Sequence, residues 1–443
     1  MKKYFMLIIA IIVLIAAAIY GSYNNQMDEA TVLKYYHSAA PEASRFIPIT
    51  DHTASYYDTA GTLAGYIGVS SNIGYSGPVF TATLIDTKGN ITAVKVVNSS
   101  ETPAYLRKLD AAGYFKQYNQ KTVTDSLMPK YDIDCVSGAT LSSRAIGNSV
   151  QNVAHSIAVS ELGLSPAKAK IDWQLGVKEI AIAALFVLVL ILSRFPKFGK
   201  FRLVFLIGSI GIMGFWLNRS LSISQISSLL LGYWPMPQTN LIWYLILVGA
   251  IVPALASGKN FYCTYICPFC GLQEVTHAIS HTNLPLGKHS KWMRKGRDIL
   301  LFTVIFIAFI SLNPANASYE PFGTIFGLNG TSTFWYLTFF VLVASFIFRR
   351  FWCTAFCPVG AFLDKLASLS RDIRKAIGSA DKNKAANAAV SKNRPQRESK
   401  NGAALKIEQK IRFSKTEIIM FAFYIIILAL IIAAIVENIT INI

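Results

Sequence analysis

FYCTYICPFCGL, residues 261–272, returns as FWCTAFCPVGAF at 351–362. The two copies stand 90 residues apart, pairing Cys263 with Cys353, Cys267 with Cys357 and Pro268 with Pro358. Each copy follows an apolar run and precedes a stretch that leads to the next one. A repeat of this form predicts two related helix pairs packed about a pseudo-twofold axis. Cys270 falls outside the repeat, since its counterpart is Gly360.

Working outward, apolar runs occupy 5–20, 177–193, 203–217, 240–257, 299–313, 333–348 and 417–436. Several are a little short of the roughly 20 residues a helix needs to cross a bilayer. Apolar residues make up 53% of the chain and charged residues 15%, against about 25% charged in a soluble domain. That balance excludes an ordinary soluble enzyme and a disordered chain. The 42 Lys+Arg against 24 Asp+Glu give a net charge of +18. Most of the excess lies between apolar runs, so it reports membrane orientation rather than nucleic-acid binding. Lys2 and Lys3, the turn 194–202, the 258–298 loop and the 349–415 loop are basic, whereas 314–332 has no Lys or Arg. One topology satisfies them all: N-terminus inside, residues 24–175 outside, both cysteine motifs near the inner face.

Two thiolates three residues apart can face one metal centre, and two such pairs supply four sulfurs. Four thiolates suit a zinc ion or an iron–sulfur cluster. Structural zinc sites more often use C-x2-C in soluble ribbons, so the paired copies favour a cluster held by Cys263, Cys267, Cys353 and Cys357. The proline after each second cysteine frees backbone N–H groups to face the sulfurs. Cys270 reads as a free thiol, and His277 with His281 as a solvated loop pair. No histidine lies inside an apolar run, which argues against a bis-histidine haem.

The outer segment reads as a small α+β domain. VFTATLIDTKGNITAVKVVN (79–98) alternates around Lys88-Gly89-Asn90 as a hairpin, and 141–161 reads as a helix. DCVSGATLSSRAIGNSV (134–150) sets a small, Gly-containing turn at that helix start, where backbone N–H groups and the helix dipole can meet a phosphate. A capped helix start would read the same way.

Asp134, Ser137, Gly138, Ala139 and Thr140 resemble the D-x-x-S-G-A-T flavinylation motif of the extracytoplasmic FMN-binding domains of RnfG and NqrC subunits. The resemblance implies FMN esterified through its phosphate to the Thr140 hydroxyl by a separate flavin transferase. GYSGPV (74–79) and SSETP (99–103) resemble two further family segments, implying Glu101 and Thr102 near the isoalloxazine ring. Ala104-Tyr105 departs from the family's usual Gly-Leu. The membrane half resembles NapH-type and NosR-type electron-transfer proteins, and the whole layout resembles the NosR/NirI group. Those relatives usually add a C-terminal ferredoxin-like module, whereas no cysteine follows Cys357. The same resemblance implies [4Fe–4S] over [2Fe–2S].

The expected fold is a multi-pass α-helical membrane protein of about seven transmembrane helices, with an internal helix-pair repeat and an extracytoplasmic α+β FMN-binding domain. Its parts are an anchor (1–23), the FMN-binding domain (24–175), a polytopic membrane domain (176–370), a basic flexible linker near anionic lipid headgroups (371–415) and a last helix with a short outer tail (416–443). The expected function is electron transfer across a bacterial cytoplasmic membrane, from a cytoplasmic donor or quinol, through the cluster to FMN, serving an extracytoplasmic acceptor. The rival is a NosR-type redox sensor or maturation factor. Distance is the difficulty, because the apolar core is about 30 Å thick and no residue pattern marks a redox centre at mid-depth.

Overall fold

The computed structural model describes residues 2–24, 28–75, 77–101, 103–119, 121–129, 132–167, 173, 175–193, 195–238, 240–280, 284, 286, 289–328, 330–389 and 415–441. An apolar helix, α1 (Lys2–Asn24), leads into the first unit. That unit comprises α2 (Glu29–Ala39), β1 (Arg45–Thr50), β2 (Thr53–Tyr57), β3 (Leu63–Ile73), β4 (Pro78–Asp86), β5 (Ile91–Ser99), α3 (Pro103–Ala111) and α4 (Thr140–Ser160).

The five strands form an antiparallel meander in chain order. The expected hairpin is β4 and β5, closed by Asp86, whose carboxylate accepts from Lys88 N and Asn90 N at 2.8 Å each. Both faces of the sheet are covered. Val79, Ile85 and Val94 pack with Ile146, Val150, Val153 and Ile157 of α4. Ala82, Leu84 and Ile67, of opposite parity, pack with Val32 and Tyr36 of α2. This explains why central β4 is buried nearly throughout rather than at every second residue.

The second unit is helical. It comprises α5 (Val177–Leu192), α6 (Arg202–Ser209) continued by a π-helical turn (Ile210–Trp216), α7 (Ile223–Leu231), α8 (Leu241–Ser257), a π-helical turn (Tyr262–Ile266) and α9 (Pro268–Ser280). There follow α10 (His289–Ser311), α11 (Phe322–Gly327), α12 (Ser332–Ile347), α13 (Phe351–Ala355), α14 (Pro358–Ala389) and α15 (Lys415–Ile441). Each apolar run of the sequence is helical. Among the described residues, Gly199–Trp216 and Ile419–Glu437 are long and apolar enough to cross a membrane, and Ile8–Ser22, Leu241–Ser257 and Ser332–Ile347 are shorter apolar helices. Helix α14 takes the first part of the segment expected as a flexible linker. Its sequence there, KNKAANAA, is rich in good helix formers. Residues 390–414 lie outside the described residues.

The repeat is visible as two matched corners, where α8 leads to Cys263 and α9, and α12 leads to Cys353 and α14. Glu274 of α9 ties them together. Its carboxylate meets Arg202 at 2.7 Å and Arg349 at 3.1 Å, and also Arg350. Burial opposes ionisation of Glu274, but the guanidiniums outweigh it and hold its carboxyl below the usual range.

Two connections between apolar helices fold into the protein. Residues 218–231 and 313–327 bury Ser222, Ser224, Gln225, Ser227 and Ser228, and Asn313, Asn316, Glu320 and Thr324. Backbone groups and several of the serine hydroxyls pair there. Ser222 caps α7 by accepting from Gln225 N at 3.3 Å, and Ser228 Oγ donates to Ser224 O at 2.9 Å.

Candidate functional site

Cys263, Cys267, Cys353 and Cys357 line one cavity of about 610 Å³. No three Cys, His, Asp or Glu side chains among the described residues converge on a single-ion site. Four thiol side chains bordering one space are the donor set that an iron–sulfur cluster takes. The freed backbone N–H groups appear as expected, since Gly360 N donates to Cys357 Sγ at 3.3 Å. Arg294, Arg297, Arg350 and Arg371 also line the cavity, against Asp298 and Asp364. Arg297 is buried and donates to Cys353 O and Asp364 Oδ2, each at 2.9 Å. Arg350 favours the charged form of Cys353 and Cys267, whereas burial pushes the thiols of Cys263, Cys267 and Cys357 up. Cys270, buried on α9, makes hydrogen-bond contact with Cys353 and is nearer the site than the repeat arithmetic implied. Cys135 stands in the other unit beside Arg144. His277 is half-buried on α9, and His281 lies outside the described residues.

Thr140 opens α4. Before it, Gly138 takes φ +80°, a left-handed conformation that glycine adopts without strain, and a side chain there would meet Lys108 Nζ at 2.6 Å. Ser143 holds the turn, accepting from Val136 N at 3.1 Å and donating to Ala139 O at 3.0 Å. Ser137, Gly138 and Thr140 then border a cavity of about 420 Å³, while Ala139 is buried beneath them. Four cations, Lys108, Arg144, Lys178 and Arg219, share its lining with apolar Phe215 and Trp216. A phosphate group meets complementary charge there and a flat ring meets apolar walls, so the residues fit FMN. The sequence reading missed these cations because two of them, Lys178 and Arg219, belong to the helical unit.

Asp134 is exposed, with its backbone paired to Gln117 by bonds of 2.8 and 3.1 Å. Glu101 is fully buried and accepts from Tyr75 N. A side chain at Gly74 would collide with that carboxylate at 1.8 Å. Thr102 lies outside the described residues. The Gly-Tyr-Ser-Gly-Pro segment docks the two units. Tyr75 OH donates to Ser220 O at 3.1 Å, its ring lies 5.2 Å from that of Tyr105, and Arg219 sits 5.4 Å from its centroid. Tyr105, the departure from the family pattern, therefore packs at the interface.

The inward-folded connections form the wall between the cavities. Leu221 N donates to Tyr262 OH at 2.8 Å, and Tyr319 OH donates to Phe356 O at 2.6 Å, each beside a cysteine. Leu221 and Phe322 line the cysteine cavity. Phe322 also lines a third cavity, with Ser220, Ser222, Glu320, Lys108 and Gly138. That cavity reaches the turn before Thr140.

Glu320, 6% exposed, accepts from Ile223 N at 2.6 Å. Burial pushes its carboxyl up to about 7 despite that bond. Because the folded value exceeds the unfolded one, its contribution is complete below about pH 4 and lost as pH rises through about 7. Unfolding free energy in detergent is expected to fall by up to about 3 kcal/mol between pH 4 and 8 through this group. Glu320→Gln should flatten that slope in a thermal-unfolding series.

An FMN-binding domain matches residues 74–155, and a 4Fe-4S binding domain matches twice, at 239–287 and 331–376. The chain therefore defines an electron-transfer protein that binds FMN and an iron–sulfur cluster. It is homologous to Protein NirI of Paracoccus denitrificans, with 29% identity over 216 residues, 43% of this chain and 31% of NirI. Regulatory protein NosR of Stutzerimonas stutzeri is 24% identical over 210 residues, 43% of this chain and 29% of NosR. The G component of the ion-translocating oxidoreductase complex of Methanosarcina acetivorans is 25% identical over 135 residues, 27% of this chain and 72% of that component. The matches span under a third of NirI and NosR.

Proposed function

We propose that the protein conducts electrons across the bacterial cytoplasmic membrane, from a cytoplasmic donor or the quinol pool to an extracytoplasmic acceptor. The cluster bound by the four cysteines supplies one-electron chemistry, and FMN on Thr140, attached by a flavin transferase, exchanges one or two electrons. The observation that carries this reading is the shared wall: Phe322 borders both the cysteine cavity and the cavity that reaches Gly138. It supports a short route where the full bilayer thickness posed the difficulty. In this reading the seven apolar helices span the membrane, the FMN-binding domain sits outside, and the cysteine motifs open toward the cytoplasm.

Docking of the two units is what the chain's own residues contribute. Gly77 lets them meet, since a side chain there would come within 2.8 Å of Ser100 Cβ and 3.1 Å of Pro314 Cδ. Gly77→Leu should wedge the interface open. The expected result is a fully flavinylated, iron-replete protein whose flavin is reduced at least tenfold more slowly from the cysteine side in stopped-flow absorbance. A wild-type rate in a protein shown by cross-linking to be undocked would overturn the reading. A sensor role is the second reading, favoured by the name that NosR carries. It predicts reduction without sustained turnover to an external acceptor.

A further inference from the structure

Gln273 lies on α9 in the first repeat copy, with 0% exposure, and reaches the second. Its Nε2 donates to Cys353 Sγ at 3.1 Å. Its Oε1 accepts from Trp352 N at 3.1 Å and Ser345 Oγ at 3.4 Å. Trp352 N can only donate, which fixes the way the amide points and leaves its N–H side to Cys353 Sγ and, at 3.4 Å, Phe269 O.

The repeat makes this contact informative. At the position equivalent to Gln273 the other copy has Leu363, which is buried and has no hydrogen to give Cys263. The polar neighbour of Cys263 is Asn260, at an exposed edge. Its Oδ1 accepts from Cys263 N at 3.1 Å, its Nδ2 donates to Asp364 Oδ1 at 3.0 Å, and its amide also serves the Cys263 thiol as a donor. The second cysteines are matched. Cys357 Sγ accepts from Gly360 N, and Cys267 Sγ accepts from the equivalent Cys270 N. The first cysteines differ in setting: a fully buried amide serves Cys353, together with the Cys270 thiol, whereas a half-exposed one serves Cys263.

We propose that Gln273 is a positioning residue that sets the reduction potential of the cysteine site, its buried amide N–H stabilising negative charge on Cys353. Hydrogen bonds to cluster sulfurs favour the more negative, reduced state and raise the potential. A buried donor does so more strongly than one at a wet edge, because little solvent screens it. The cluster is therefore held at a higher potential than its four cysteines and the Leu363 side alone would give. This rests on reading Cys353 as a ligand.

The test is an EPR-monitored potentiometric titration of the full-length protein, with iron analysis, for wild type, Gln273→Leu and Gln273→Met. Gln273→Met keeps the length of the side chain and has no N–H to give. Both variants are expected to retain iron and to titrate at a more negative potential. An unchanged midpoint in both, with iron retained, would overturn the proposal. So would iron loss in Gln273→Leu with a wild-type midpoint in Gln273→Met, which would leave Gln273 a packing role alone. Failure of the ligand reading is a separate result, since Cys353→Ser would then keep its iron.

Discussion

Thr140→Ala protein is expected to show no flavin fluorescence in a denaturing gel while still reaching the membrane in normal amount. The hydroxyl is the attachment atom in this account, and alanine removes it without disturbing α4, where it is at least as good a helix former. Thr140 Oγ1 makes one long bond, 3.4 Å to Val136 O, so little structure depends on it. The turn is held by Ser143, which the substitution leaves alone. Thr140→Ser keeps a hydroxyl and should retain part of the signal. Undiminished fluorescence in Thr140→Ala would exclude attachment at this residue.

Loss of iron is the second large effect. Replacing any one of Cys263, Cys267, Cys353 or Cys357 by Ser should remove the iron and the visible iron–sulfur absorbance, because one shared cavity takes a ligand from each. Thr140 should remain flavinylated in all four, since the α4 turn belongs to a unit with its own core. Cys135→Ser should keep wild-type iron, being in that other unit. Cys270→Ser should keep it too, because serine retains a hydrogen-bond donor toward Cys353. Iron at wild-type level in Cys353→Ser, measured by colorimetric assay, would contradict a shared site.

Much of this was legible in the sequence because local patterns carried it. The 90-residue repeat marked the four cysteines, the period-2 alternation of 79–98 marked the hairpin, and the small-residue turn at 134–140 marked the start of α4. What stayed hidden was long-range. Residues 218–231 and 313–327 are poor in basic residues, and their serines and asparagines are the kind of side chain that can satisfy buried backbone. Tertiary packing alone shows that they fold in against Tyr262 and Phe356. Glu101 matched a family segment, and the bond it accepts from Tyr75 N in the docking loop was not legible from that match. Gln273 carried no motif at all. Only its position opposite Leu363 in the repeat could have singled it out.

The central claim is that reducing equivalents reach the flavin through the cysteine site. It is tested most directly in inverted membrane vesicles, with the cysteine face outward and the flavin enclosed. A membrane-impermeant viologen, kept reduced outside, is mixed with the vesicles and flavin absorbance is followed. The account predicts rapid bleaching in wild type and none in Cys353→Ser vesicles carrying the same amount of covalent flavin. Equal bleaching in both, or none in iron-replete wild type, would contradict it.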